Sequence, residues 1–560
     1  MTTRTGTNRA GRVRLHGRVC PILSGGPTWV AFYSAPDEQR LVMTQIPLGP
    51  RTARASDSRW RNFLVAFAVL FTLLGLWAVG MPISSAPDEP SHIVRAVAVA
   101  HGDLTGRVYP ADPSKIQVVV PQWASNSYNL ACFAYQPNTS ADCQPPTPQD
   151  ADRQSPTPTT AGINSPVFYA IVGLPSLVLS GTPALYAMRL MSAVVCAALL
   201  SFMFMAVRQL PRSRWSVAAA AIAVTPMVLF LGGSVNPNGV EIAATGALTA
   251  TMIAVMRTPS TTRMLWERGA IVVCSAALLA GTRNIALVWI LVALTCALML
   301  SHAIVLKDLL KRSATWVTGG VSALAVIASL VWYLKPAITT ATRPTTGAKT
   351  GVLAAFTTMI AQFFDFARDW IGNFGWLDRP APALAVVVWT TLITVLVTSA
   401  LMFCRGRARA AVLLVVVGLV LIPAFSQAAI VHQMGFIWQG RYMLALVVCL
   451  LLVAGAALDA ALPRALFSAA GSRALTFAFV MLGVAQIASY VWALKRYVVG
   501  ASPSWITMVT HPAWQPPLGW EALTGIMCFT LATITWSMLR SMRTRNVLGP
   551  QELPDDHTVR

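Results

Sequence analysis

The sequence predicts an all-α, polytopic membrane protein of about twelve transmembrane helices with a large first outer loop. Three observations carry this. Of 560 residues, 55% are hydrophobic and only 11% are charged, where a water-soluble chain would have about a quarter of its residues charged. Long apolar segments recur along the chain, most of them near the roughly 20 residues that a bilayer crossing takes. The net charge of +21 is spread as short basic clusters between these segments, the positive-inside pattern. It therefore reports orientation, and no nucleic-acid partner is expected.

Residues 1–60 are basic, rich in Gly, Pro, Ser and Thr, and without helical period. They read as a cytoplasmic, disordered tail in which Met43 could serve as an alternative start. The membrane domain is 61–545, opening with a span from Asn62 to Gly80 behind Arg51, Arg54, Arg59 and Arg61. Ser84-Ser85-Ala86 has the look of a signal-peptidase site. The apolar run is too long for a signal segment, however, and Pro87 follows the cut unfavourably, so the segment is kept as an anchor. Residues 82–165 form the first outer loop, polar and proline-rich between Gln144 and Pro158, and the apolar stretch that opens at Asn164-Ser165-Pro166 and runs to Leu179 is expected as a helix at the outer surface. Further spans are expected at Pro183–Val207, Ser216–Gly232, Val240–Val255, Trp316–Leu334, Ala383–Phe403, Ala410–Phe425, Tyr442–Leu458, Ala474–Leu494 and Glu521–Leu539, while Gly269–Ala280, too short for a full crossing, and Ile285–Leu306 make a tilted hairpin or a pair broken at Gly281 to Asn284. The second and last outer loops are 335–382 and 495–520, and 546–560 is a cytoplasmic tail. The parity places both termini in the cytoplasm of a bacterial cell, with Arg405, Arg407, Arg409, Arg540, Arg543 and Arg545 inside.

The stretch with most chemistry is Pro87-Asp88-Glu89-Pro90-Ser91-His92, two adjacent carboxylates just past the first span. One reading makes Asp88 the N-cap of a helix from Glu89 to His101, with Pro90 in its first turn and Gly102 ending it. The other makes the carboxylate a general base at the bilayer surface, acting on a substrate whose lipid tail stays in the membrane. Both stay open on the hexapeptide alone. The remaining unusual polar residues converge on the same face: Asn236, Asn238, Glu241, Asp365, Asp369, Asp378, His432, Gln439 and Arg441. Arg189 lies within a span and Arg283 at a break in the apolar pattern, where an arginine costs about 2.5–3.5 kcal/mol unless it is partnered or lines a polar cavity. Arg441, in Gln439-Gly440-Arg441-Tyr442, presents forked donors where a lipid phosphate would lie, though an interfacial anchor would look the same. Trp370, Trp376, Trp438, Trp505, Trp514 and Trp520 crowd the outer loops as an aromatic belt or as sugar-stacking faces. Cys132 and Cys143 lie in the first outer loop, and a disulfide between them would stabilise it by about 3 kcal/mol. No Cys/His spacing resembles a zinc site.

The motif set Pro87-Asp88-Glu89-x-x-His92, Asn164-Ser165-Pro166 with Tyr169, Arg189, Ser234-x-Asn236-Pro237, Gly375-Trp376-Leu377-Asp378 and Gln439-Gly440-Arg441-Tyr442 resembles the bacterial membrane-protein family called domain of unknown function 2142. The likeness spans roughly residues 60–540. That family looks like a branch of the C-type glycosyltransferase superfamily, whose members take a sugar from a polyprenyl-phosphate carrier and use an acid in the first outer loop. The resemblance implies that Asp88, with Glu89 beside it, holds that position. It departs at Asn238, where the pattern leads one to expect an acid in the second outer turn, so no metal or acceptor role is carried over there. The transfer reaction itself comes from the superfamily by analogy.

Two functions follow as expectations. The first is a membrane glycosyltransferase moving a sugar from a polyprenyl-phosphate donor to an envelope glycan or glycolipid. Asp88 and Glu89 would be catalytic, and His92, Arg189, Asn236, Arg283, Trp376, Asp378, Arg441 and Tyr442 would bind substrate. No metal or other cofactor is assigned, and a divalent ion assisted by Asp378 or Glu241 stays open. The alternative is a non-enzymatic lipid-carrier transporter or a scaffold for envelope assembly. A transporter would show paired broken helices with ionisable groups at mid-membrane, and only Gly281 to Asn284 looks so.

Overall fold

The structure, a computed structural model, describes residues 29–31, 43–45, 51–211, 213–334, 349–462 and 469–547. The chain divides into two compact units, Met1–Arg61 and Asn62–Arg560. In the first, strands β1 (Trp29–Ala31) and β2 (Met43–Gln45) pair antiparallel. The expected tail at 1–60 otherwise falls largely outside the described residues, as do residues 335–348 of the second loop and 548–560 of the C-terminal tail.

The second unit is built from helices whose apolar runs decide their place. Helix α1 (Arg51–Gly80) leads into the first loop. That loop holds α2 (Glu89–Ala100), strands β3 (Arg107–Val108) and β4 (Ile116–Pro121), the single turn α3 (Gln122–Ser125), strand β5 (Gln154–Thr159) and α4 (Pro166–Val172). The three strands form a sheet in the order β3-β4-β5. An all-α protein with a polar, proline-rich loop here is not expected to hold a sheet. The prolines hide the strand: Pro156 and Pro158 sit opposite Val119 and Gln117 on an edge strand, the place where a residue lacking N–H is tolerated. The disulfide between Cys132 and Cys143 is formed, and the helix expected to reach Leu179 ends instead at Val172, followed by a 3₁₀ turn at Leu174–Leu177.

There follow α5 (Gly181–Val207), α6 (Arg214–Ala223), α7 (Pro226–Gly232), α8 (Pro237–Arg257), α9 (Thr262–Ala280), α10 (Ala286–Met299), α11 (Ala303–Leu309) and α12 (Ser313–Tyr333). The second loop carries α13 (Val352–Ala361), α14 (Phe363–Asp369) and the strand pair β6 (Asn373–Phe374) and β7 (Arg379–Pro380). The chain closes with α15 (Ala383–Phe403), α16 (Gly406–Met434), α17 (Leu444–Ala461), α18 (Ala469–Val498), α19 (Trp505–Thr510) and α20 (Trp520–Val547).

Among the described residues, eight helices are long and apolar enough to cross a membrane, or ten if two bent pairs each count as one span. Of the twelve expected segments, Gly269–Ala280 and Glu521–Leu539 fall outside this count of the described residues. Helix α9 contains Arg263, Glu267 and Arg268, whereas α20 runs Trp520–Val547 and its side chains are described only to Trp536. The run Ile285–Leu306, expected as one segment, turns by 120° between α10 and α11. The centre of the unit is α17 and α8, whose apolar stretches are 94% and 83% buried, against 11% for α12. Helix α8 packs on α5, α9, α10 and α17.

The other bend, 60° between α6 and α7, has a cause in sequence. Pro226 cannot donate an N–H to the α6 ladder, and Thr225 restarts the helix by accepting from the Val228 N–H. The backbone groups freed by the break are satisfied from elsewhere, as they must be inside an apolar bundle. Trp389 Nε1 donates to Ile222 O at 2.9 Å, the Met227 N–H donates to Ile371 O at 3.0 Å, and Thr225 Oγ1 donates to Trp370 O at 2.8 Å. The second loop is thereby tied to the broken helix.

Candidate functional site

The turn that leaves α1 places the two adjacent acids on opposite sides of the chain. Asp88 adopts a left-handed backbone, φ 63°, which Asp tolerates better than most residues, and Pro90 follows in the first turn of α2. The Asp88 side chain makes no bond to that helix end, so the capping reading does not describe it. Instead its Oδ2 accepts from Arg441 Nη2 at 2.5 Å. The pair is asymmetric: the Asp88 side chain is 44% exposed and that of Arg441 is 0% exposed. Burial alone would raise the Asp88 carboxyl, but the charge and hydrogen bond of Arg441, with help from Arg283, hold it below the usual carboxylate range.

Glu89 points the other way, into the protein. It is fully buried and takes a bidentate grip from Arg189, Nε to Oε1 at 2.7 Å and Nη2 to Oε2 at 2.6 Å. Oε1 also accepts from the Val235 N–H and Oε2 from the Ala86 N–H. Arg189 spends its other donors on Ala78 O, Met81 O, Pro82 O and Ser85 Oγ, the carbonyls left over where α1 ends. Arg189, a substrate ligand by sequence, thus has no N–H left for a substrate. Glu89 and Arg189 form a sealed joint that fixes the turn presenting Asp88.

Arg441 is delivered by the short 3₁₀ turn Gly440–Met443 in front of α17. A Cβ at Gly440 would meet Phe366 O and Asp369 Cβ, each at 2.5 Å, so only glycine lets this turn lie against α14. Besides Asp88, Arg441 donates to Pro87 O at 3.2 Å and to Tyr442 Oη at 3.3 Å, while its Nε is buried without a partner. Asn236, the N-cap of α8, accepts from the Asn238 N–H and donates to Pro87 O at 3.0 Å. Arg441 and Asn236 therefore hold the residue before Asp88 from two sides. Both amide atoms of Asn238 are buried and unpartnered.

Arg283, in the turn between α9 and α10, lies over the Tyr442 ring at 4.3 Å. Beyond that it makes no hydrogen bond or ion pair among the described residues, yet its charge reaches Asp88 and Glu241. Glu241 Oε1 accepts from Trp289 Nε1 at 2.7 Å. His92 is buried, which holds its ring neutral down to about 3. Its Nδ1 lies 2.9 Å from Tyr169 Oη, which also accepts from Asn164 Nδ2. Asn164 donates there, and the direction of the Tyr169–His92 bond follows the ring tautomer, with Nε2 as the ring's other nitrogen. That Nε2 is buried without a partner.

Trp376 donates to Ser84 O at 3.0 Å and meets Tyr135 edge-on at 5.4 Å. Gly375, φ +67°, makes the turn possible. Asp378 is committed elsewhere: it pairs with buried Arg496 at 2.7 Å, which also donates to Phe133 O, Gln136 O and Thr139 O and so clamps the disulfide loop. The sequence-predicted set thus sorts into two groups. Asp88, Arg441, Tyr442, Arg283, His92, Asn236 and Trp376 gather around the Asp88 turn, while Glu89, Arg189 and Asp378 are enclosed in structural pairs. Tyr135, 72% exposed and electrostatically coupled to Asp88 and Arg441, escaped sequence reading because a lone tyrosine in a polar turn carries no signal. Arg95 escaped as well; it is fully buried with two unpartnered nitrogens.

A family model described as "Predicted membrane protein (DUF2142)" matches residues 71–450. No curated protein matches the chain significantly. Among solved structures, the chain is similar to ArnT from Cupriavidus metallidurans, crystallised with undecaprenyl phosphate bound. The match has 12% identity and a TM-score of 0.37, and covers 85% of this chain and 76% of that one.

Proposed function

From the premise that this chain belongs to the DUF2142 family of membrane proteins, we propose that it is an inverting glycosyltransferase of the bacterial plasma membrane. It would take a sugar from a polyprenyl-phosphate donor at the outer face, with both termini in the cytoplasm. One observation supports this above the others: of two neighbouring carboxylates, Glu89 is sealed by Arg189, while Asp88 alone stays open to solvent with two arginines at hand.

The reaction runs as a single displacement. Asp88 accepts the proton of an acceptor hydroxyl, and the acceptor oxygen forms its bond to the anomeric carbon. The bond from that carbon to the phosphate oxygen breaks, and the electron pair leaves on polyprenyl phosphate. A placed base is typically worth 10²–10⁴ in rate. The departing phosphate needs fixed positive charge, which Arg441 and Arg283 supply. Arg441 holds Asp88 in its ionised form. An incoming phosphate competes for the same guanidinium, and drawing Arg441 away leaves Asp88 a stronger base at the moment donor is present. His92 Nε2 and the Asn238 amide, buried and unpartnered among the described residues, would meet sugar hydroxyls. Glu89, Arg189 and Asn236 act as positioning residues. Asp378 serves the clamp on the first loop.

The test is release or transfer of label from radiolabelled polyprenyl-phosphate sugars by purified protein in lipid vesicles, with unlabelled polyprenyl phosphate as competitor. Turnover that the competitor suppresses is expected. Folded protein that releases no label from any donor would return Asp88 to a structural ion pair and favour the transporter or scaffold alternative.

A further inference from the structure

Away from the Asp88 cluster, a cavity of about 510 Å³ opens between the first loop, the start of α5 and the segment before α20. That volume is in the range of small-molecule sites. Its walls include three aromatic side chains, Trp123, Tyr186 and Trp514. Two proline runs edge it, at 145–148 and 516–517, whose fixed φ angles keep the rim in one shape before anything binds.

The polar groups of the lining are all neutral, and their free valences can be counted. Gln144 spends both amide hydrogens inward, on Ile83 O at 2.9 Å and Leu130 O at 2.7 Å, which leaves its Oε1 as an acceptor. Gln515 uses its Oε1 to accept from the Trp520 N–H at 3.1 Å, which leaves its amide hydrogens. Asn126 uses its Oδ1 to accept from Asn129 Nδ2 at 2.8 Å, which leaves its amide hydrogens as well. Among the described residues, no Asp, Glu, Lys, Arg or His lines the cavity.

We propose that this cavity is a binding site for a neutral saccharide. Sugar rings offer C–H faces that lie on aromatic rings and hydroxyls that both donate and accept, and the wall supplies both kinds of partner. A phosphate-bearing headgroup would find no cation here. A prenyl or acyl chain would strip water from three amides and return nothing to them. Ile83 lines the cavity and lies in the segment between α1 and α2 that also carries Asp88. As the dock of a glycan acceptor the site rests on the transferase reading; as a site for sugar it does not.

The experiment is saturation-transfer NMR on the full chain in lipid nanodiscs, titrated with neutral trisaccharides built from glucose, mannose, galactose and N-acetylglucosamine. Saturation transfer to at least one of them is expected. Trp514→Ala should weaken that binding about tenfold, and the exposed Gln515→Ala about fivefold, both in protein that keeps the wild-type unfolding midpoint within a few degrees. No turnover enters, so Asp88→Asn should bind sugar as wild type does even where transfer is abolished. Absence of transfer to every sugar up to about 50 mM overturns the proposal. Binding untouched in both Trp514→Ala and Gln515→Ala overturns it too, whatever the donor assay shows.

Discussion

Glu89→Gln separates the roles of two carboxylates that are adjacent in sequence. Glu89 is fully buried, accepts four hydrogen bonds and faces an arginine that is 1% exposed. Breaking a buried pair by removing one charge costs about 3–5 kcal/mol, because the partner is left charged and dry. Arg189 would still reach three carbonyls and Ser85 Oγ, which holds the cost near the lower end, about 3 kcal/mol. The glutamine amide hydrogens would also point at Arg189 or at a backbone N–H, donor against donor. Asp88→Asn breaks a pair whose carboxylate is half exposed, and the amide oxygen that replaces it can still accept from the buried Arg441, so it should cost less, about 1–2 kcal/mol. Denaturant titration in mixed micelles, followed by tryptophan emission, measures both. Adding Arg189→Met to Glu89→Gln should recover about 2 kcal/mol. The reasoning fails if Asp88→Asn destabilises as much as Glu89→Gln, or if the double variant is no better than the single one.

Other expectations can be checked alongside. Replacing Cys132 and Cys143 by serine opens a loop of sequence separation 11 and should cost about 3 kcal/mol, read as a lowered unfolding midpoint equal to that of the reduced wild type. His92 stays neutral in the folded protein down to about 3 but not in the unfolded chain, whose histidine titrates near 6.5. Stability should therefore fall as pH drops below 6.5, by about 1.4 kcal/mol per unit for this one proton. His92→Gln should flatten the curve by that amount. Arg441→Lys keeps the charge but loses the fork, and should lower donor turnover at least tenfold while membrane insertion is unchanged; equal rates would remove Arg441 from the phosphate's partners.

Much of this was legible in the sequence because apolar length and charge act locally. The first span, the loop behind it and the disulfide pair were readable for that reason. Bends were less so: Pro226 was visible within an apolar run, but whether a run crosses straight depends on groups such as Trp389 and Ile371 that take up the freed backbone bonds. Pairings across the chain were not legible at all. Arg189 lies 100 residues from Glu89 and Arg441 lies 353 residues from Asp88. Nothing in one sequence says which arginine seals a joint and which waits at an open carboxylate. The sheet in the first loop was hidden by Pro156 and Pro158, which ordinarily argue against a strand and here mark its edge.

The central claim is that Asp88 is the base of a sugar transfer, and one comparison tests it most directly. Wild type and Asp88→Asn, reconstituted in lipid at equal amounts and with matched unfolding midpoints, are given a radiolabelled polyprenyl-phosphate sugar that wild type turns over. The account predicts that the variant still binds polyprenyl phosphate and loses at least about a hundredfold in rate. An Asp88→Asn protein that turns over donor as fast as wild type would contradict it.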